Sequence, residues 1–244
     1  MTTRAALKTT TACLAGGAAL AGLGYAAYAA AAWTHYGHPP RARGADEEDP
    51  LLDGFMPLYD IVERHHIHVD APAALALDAA RALDAQDSCI IRAVFRGREL
   101  MFRSERDAAP PPKGLLAGAL AIGWGVLADK DHEIVLGAVT RPWEPNPVFR
   151  DLLPRDFAGF AEPGYVKIAF TLRADPIDEV RSIFRSETRA IATDMEARKR
   201  FRNYWALVSP GVALIRRAML APVKANAERL FVPPGLALES VVSE

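Results

Sequence analysis

Three histidines, His65, His66 and His68, stand in the string Asp60–Asp70 (DIVERHHIHVD). In an extended strand alternate side chains share a face, so His66, His68 and Asp70 fall together. Neutral imidazoles with a carboxylate suit zinc. No second ligand cluster and no His-x-x-x-His element accompanies them, and Asp70 is placed to cap a following helix. A half-exposed strand explains these residues better, and neither a metal nor a cofactor is expected.

Other chemical signals are weaker. Gly123-Trp124-Gly125-Val126-Leu127-Ala128 fits a Gly-x-Gly-x-x-Ala pattern. A dinucleotide site needs that pattern between a strand and an opening helix, whereas here it lies inside a strand-like run. The sequence holds no Gly-x-Ser-x-Gly, Walker A, Cys-x-x-Cys or His-Glu-x-x-His string. Glu187, beside Thr188 and Arg189, becomes an acid–base group if it points into a cavity, since burial raises a carboxyl pKa. An ion pair with an arginine is its structural alternative. Trp124, Trp143, Tyr165, Phe170 and Trp205 are candidates to line a pocket, against the plainer reading of core aromatics. Arg92, Arg96, Arg98, Arg103 and Arg106 interleave with Ile90, Ile91, Val94, Phe95 and Phe102. Such a helix either lies on anionic lipid or presents a solvated face with its other side in the core; the second is commoner.

The elements that position these residues follow from periodicity and punctuation. Asp60–Asp70 reads as a strand with Ile61, Ile67 and Val69 on one face. Asp70 as cap and Pro72 in the first turn open a helix to about Leu83, and Asp87-Ser88 caps a second over Cys89–Phe102. Asp107–Lys113, with three prolines, is a loop. The runs Leu115–Ala128 and Ile134–Val139 flank a charged turn and predict a hairpin, its first arm starting as a helix near Leu115. Arg141–Pro163 carries five prolines and predicts an irregular excursion with one short helix. Tyr165–Asp175 and Val180–Thr193 predict a second hairpin. From Met195 to Leu230, Phe201, Tyr204, Trp205, Val208, Val212, Ile215 and Met219 mark one apolar stripe of a long helix. Pro210-Gly211 is expected to kink or break it. Hairpins with a helix across one face make an antiparallel α+β layer.

From Thr9 to Pro40 there is no Asp, Glu, Lys or Arg, and Thr9–Trp33 is 25 residues, enough to cross about 30 Å of hydrocarbon. Tyr25, Tyr28, Trp33 and Tyr36 gather at one end, as interfacial rings do. The segment reads as a membrane anchor, with a cleaved signal peptide as the competing reading. Arg4 and Lys8 against Arg41 and Arg43 tilt the balance towards an inside N-terminus, which places the domain outside the cytoplasm. The expected organisation is an anchor over 1–37, a Pro-rich charged linker over 38–54, one domain over 55–231 and a tail over 232–244. Half of the 244 residues are hydrophobic, a quarter are charged, and the net charge is −1. That balance gives no electrostatic reason to expect nucleic acid. With Cys13 in the apolar run, Cys89 is alone in the body and forms no internal disulfide.

Several strings together resemble the SRPBCC or START-like superfamily, whose helix-grip fold is shared with the birch-pollen allergen and polyketide cyclases. They are Tyr59–Pro72 (YDIVERHHIHVDAP), Glu133–Gly137 (EIVLG), Glu162–Lys167 (EPGYVK), Glu187-Thr188-Arg189, Ala192-Thr193-Asp194 and Phe201–Met219 (FRNYWALVSPGVALIRRAM). The likeness runs from Tyr59 to Arg229 and is sharpest to a bacterial subgroup. It implies an antiparallel sheet wrapped on the C-terminal helix, with a cavity between them for an apolar or amphipathic ligand and no fixed catalytic residues. About five strands are visible, fewer than the usual set. The resulting expectation is a membrane-tethered binder of a hydrophobic small molecule or lipid. A cyclase- or hydrolase-like enzyme using the same cavity, and an interaction domain with a filled core, are the alternatives.

Overall fold

A computed structural model describes residues 20, 22–44, 47–104 and 112–231. Most of the apolar run before residue 22, Arg106 and the tail over 232–244 lie outside the described residues. The elements run α1 (22–35), α2 (Pro50–Phe55), β1 (Ile61–Val69), α3 (Ala73–Ala82), α4 (Cys89–Phe102), α5 (Leu115–Ala121), β2 (Gly125–Lys130), β3 (Glu133–Thr140), α6 (Pro154–Phe157), β4 (Val166–Pro176), β5 (Ser182–Ala192) and α7 (Met195–Leu230). The strands form one antiparallel sheet in the order β1-β5-β4-β3-β2. This α+β layer, with a long C-terminal helix across the sheet, is the architecture the alternation and the helical stripe call for.

Two expectations about punctuation fail: Asp70 as the cap of α3, and a break of α7 at Pro210-Gly211. Pro72, with no side-chain cap bond, precedes α3. Asp70 instead pairs with Lys224 at 3.4 Å, while its backbone N–H donates to Glu228. The second concerns α7, which runs unbroken for 36 residues through Pro210 and Pro222. A proline costs an interior helix about 3 kcal/mol, but α7 packs on the sheet on both sides of Pro210, so tertiary burial overrides the local break. Gly211 has its own reason: a Cβ there would lie 2.8 Å from Val94 of α4.

The two faces of the sheet are differently filled. Towards α7, one apolar cluster joins Val69, Ile134, Leu136, Phe170, Leu172 and Phe184 with α3 and with Met219, Val223 and Ala227. A second joins Ile61, Val166 and Ala190 with Tyr36, Phe201 and Trp205. On the opposite face Leu52 of α2, Met56 just after it and Phe157 of α6 cover Val135 and Ala169.

Charged pairs bind α2 and its approach to that second face. Asp49 caps α2, accepting from Leu52 N at 2.8 Å. Arg173 bridges to Asp175 at 2.6 Å and donates to the Glu48 carbonyl, and Arg185 meets the other Asp175 oxygen at 2.6 Å. Glu133, buried beside this lattice, has its pKa pushed up to about 8 by burial first, then by a hydrogen bond with Asp49 and that carboxyl's charge.

A folded-state carboxyl pKa raised above its unfolded value, about 4.3, stabilises fully only while the group is protonated in both states. That contribution is lost as pH rises from about 4 to about 8. Glu133→Gln is therefore expected to flatten the decline of the urea midpoint with rising pH across this window. Parallel pH profiles for variant and wild type would show that Glu133 is not held protonated.

Candidate functional site

Register decides which side chains meet α7. Pairing of Ile61 with Ala190, Glu63 with Thr188, His65 with Ser186 and Ile67 with Phe184 puts all eight on one face, since cross-strand partners share a side. On β4, Ile168 and Phe170 pair with Ala190 and Thr188. Read along the sheet, the face is apolar, then polar, then apolar. The polar band is Glu63 and His65 of β1 with Ser186 and Thr188 of β5.

Helical spacing puts Ser209, Val212 and Arg216 on the stripe of α7 that meets this face. The Arg216 guanidinium sits 5.0 Å from the centre of the Phe170 ring. Trp124 meets the same ring edge-on at 5.0 Å, and Phe149 stacks on Trp124 at 5.5 Å. Among the described residues no carboxylate lies within ion-pair distance of Arg216; Glu63 acts on it only through its field. Burial pushes its pKa down to about 10, with Glu63 opposing. The hydroxyls of Ser186, Thr188 and Ser209 are buried and hydrogen-bond to no other group. His65 Nε2 lies 3.3 Å from Glu63 Oε2, close enough for an ion pair, but its direction does not make a hydrogen bond. Chemically the band is a cation, an imidazole–carboxylate pair and three free hydroxyls, enclosed by apolar clusters.

Helix α1 closes one end. Tyr28 lies beside Glu63, burial and that carboxylate's charge raising its phenol pKa, Tyr25 donates to the Leu207 carbonyl, and Trp33 Nε1 donates to Asn203 at 3.2 Å. Arg202 lies 3.5 Å over the Trp33 ring, and Tyr36 donates to Asp60 at 3.1 Å. The aromatic residues expected at a membrane interface are thus the ones that dock α1 on the domain. A cleft of about 200 Å³ remains beneath it, lined by Tyr28, His35, Tyr36, Asp60, Glu63 and Trp205 among others.

The six residues singled out from sequence do not converge. Trp124 and Phe170 lie together under Arg216. Trp205 and Trp143 belong to the other apolar cluster, and Trp205 borders the cleft. Tyr165 is outside, with Arg141 at 4.5 Å and Arg150 at 5.0 Å over its ring. Glu187 is on the face away from α7, bonded to Arg64 at 2.9 Å and to Arg189 at 2.6 Å; Arg189 also pairs with Asp53 and covers Tyr59. His66 and His68 are exposed on that same face. Glu63, His65, Ser186, Thr188, Ser209 and Arg216 are not brought together by the sequence reading, which weighs His65 only as a metal ligand and names Thr188 only as a neighbour of Glu187. The signal for four of them was available: they keep step with Ile61, Ile67, Phe184 and Ala190 in the alternation.

Between Glycine123 and Gly125 the chain leaves α5 and begins β2, the reverse of a dinucleotide turn. A Cβ at Gly123, whose φ is +98°, would strike the Phe149 carbonyl, so close backbone packing accounts for that glycine.

Removing one partner from a buried ion pair strands the other. Glu187→Ala, which takes from the 3% exposed Arg189 side chain one of its two carboxylates and from Arg64 its ion-pair partner, is expected to cost about 3 kcal/mol in urea unfolding. A loss below about 1 kcal/mol, the range of exposed pairs, would contradict the buried role.

No family model matches the chain, and no curated protein does. Among solved structures it is similar to the hypothetical protein jhp0584 from Helicobacter pylori, at 9% identity over 77% of this chain and 96% of that one, with a TM-score of 0.34. The aromatase/cyclase ZhuI from Streptomyces sp. R1128 matches at 17% identity over 71% and 97% of the two chains, TM-score 0.25. The di-domain aromatase/cyclase BexL of the BE-7585A pathway matches at 18% identity over 68% of this chain and 46% of that one, TM-score 0.29. These are loose overlaps, and the functional reading rests on the geometry of this chain.

Proposed function

We propose that the chain is a helix-grip binding domain for a small amphipathic molecule with an acidic head group, held between the sheet and α7. One observation carries the reading: Arg216 is a half-buried cation set over the Phe170 ring, with no carboxylate at ion-pair distance among the described residues. An uncompensated charge partly withdrawn from water is costly, and an arginine fork donates to a carboxylate or phosphate at two points. The three free hydroxyls supply further donors, and the apolar clusters to either side suit a hydrocarbon or ring system. Ligand sites usually enclose about 300–1,000 Å³, more than the cleft beneath α1 offers. Access for a ligand of ordinary size therefore requires α1 to shift.

The membrane tether belongs to the same proposal. An amphipathic acid partitions into bilayers, and a tethered binder meets it there at raised effective concentration. The cyclase- or hydrolase-like alternative draws on the His65–Glu63 pair, which supplies acid–base groups beside the proposed head-group site.

Uptake of a fatty acid and of the fatty alcohol of equal length separates head-group recognition from apolar burial. The full chain is expected to prefer the acid, and Arg216→Met to lose that preference by roughly ten- to a hundredfold, the worth of a charge-assisted hydrogen bond. Alcohol affinity should hold in the variant. An unchanged acid-to-alcohol ratio would remove Arg216 from the site; a protein that takes up neither ligand would leave the filled-core domain as the better account.

A further inference from the structure

Helix α4 is held by one side only. Its single buried residue is Ile91, Val94 meets α7 at Gly211, and Arg98 reaches back to Tyr204 and to the carbonyls of Pro142 and Glu144. On the side away from these contacts, Ile90, Ala93, Gly97, Leu100 and Met101 recur at helical spacing and form an apolar stripe. Ile90 is 47%, Leu100 67% and Met101 51% exposed. Beside the stripe Arg92, Arg96 and Arg103 make an exposed basic row. Glu99 is the helix's one acidic residue and is already engaged by Arg96 at 2.9 Å. On α7, Leu207 and Leu214 lie about one turn either side of Gly211 and are half exposed, so apolar surface continues past the helix contact.

We propose that α4 is a membrane-surface helix, lying in the interface of an anionic bilayer with its apolar stripe among the acyl chains and its arginine row at the lipid phosphates. An apolar strip flanked by cations on a helix parallel to the surface is the arrangement that binds there, and anionic head groups add attraction for each nearby cation. A second copy of the chain fits less well. A two-fold contact sets the same patch against itself, which brings one arginine row towards the other. The contact is independent of the apolar N-terminal segment and of any ligand under α7.

The test uses the full chain carrying Cys13→Ser, so that Cys89, exposed at the start of α4, takes a single polarity-sensitive fluorophore. Vesicles of brominated phosphatidylcholine, alone or mixed with phosphatidylglycerol, report whether residue 89 reaches the acyl region. Any N-terminal anchor is the same in both, so a difference between them belongs to α4. Quenching is expected in the mixed vesicles and should fade as salt is raised. Arg92→Glu with Arg96→Glu should weaken it by about tenfold or more, and Leu100→Glu with Met101→Glu should abolish it. All four side chains are exposed, so the circular dichroism spectrum should not change. The proposal is overturned by no quenching in mixed vesicles, or by equal quenching in phosphatidylcholine alone. It is also overturned if the label is already shielded from iodide without lipid, which would mean that another protein surface covers the stripe.

Discussion

One helix covers two apolar clusters, and whatever lies between them is buried as a consequence. Phe201 and Trp205 near one end of α7, and Met219 and Val223 farther along, each need the sheet to escape water. Burial of side chains of that size is worth about 1.5–3 kcal/mol each, enough to carry the helix through Pro210. With both ends seated, the middle of the sheet face is covered, and Glu63, His65 and Arg216 stay half-buried at its margins. The hydroxyls of Ser186, Thr188 and Ser209 are buried by the same packing that stabilises the ends, with the Arg216 side chain half-buried beside them.

The opposite face shows what the chain does with charge when it is structural. There Glu187 is matched by Arg64 and Arg189, Asp175 by Arg173 and Arg185. On that face strand register and α2 bring cation and carboxylate to within about 3 Å. Under α7 the pairing is incomplete: a guanidinium lacks a close carboxylate, and hydroxyls lack acceptors. Leaving a buried polar group unpaired costs about 1–3 kcal/mol, a large share of the 5–15 kcal/mol that holds a domain together. The two faces, built from alternate residues of the same strands, thus differ in degree: the far face leaves Glu133 Oε1 unpaired and holds Lys167 on the Phe157 and Ala158 carbonyls, while the α7 side leaves three hydroxyls without partners and Arg216 without a close carboxylate. That difference is the ground on which the α7 side is proposed as a ligand site.

Much of this architecture was legible in the chain. The alternation of β1, the hairpin of β4 and β5 and the helical stripe of α7 follow from residue type alone, because each buries a continuous apolar row. Ser88 was readable as the cap of α4 for a local reason: its hydroxyl accepts from Ile91 N, three residues on. The site was harder. Aromatic residues drew attention for their size, yet Tyr165 and Trp124 ended in different surroundings, since which ring meets which is fixed by register and loop path. Glu63 and His65 were in phase with the buried face, but a carboxylate and an imidazole in a strand of three histidines read most simply as solvent-facing. Arg216 is a single charge among apolar neighbours on a helix, and only the fold shows that it lies over Phe170.

Helix α1 brings two uses of one segment into competition. A span over Thr9–Trp33 takes 25 residues, and without residues 22–33 the apolar run shortens to 13, below the 20 or so that a helix needs to cross. Yet residues in 22–33 supply Tyr25, Tyr28 and Trp33, whose polar tips meet Leu207, Glu63 and Asn203. The rings cannot hold those partners and lie in a bilayer at the same time. Insertion of the whole run withdraws Tyr28 from Glu63 and uncovers the cleft; docking closes the cleft and leaves Leu20 and Leu23 more than two-thirds exposed. On the proposed tether the balance would turn on whether a bilayer is present to take those leucines, so the segment that would attach the domain is also the segment that covers the cleft at Glu63.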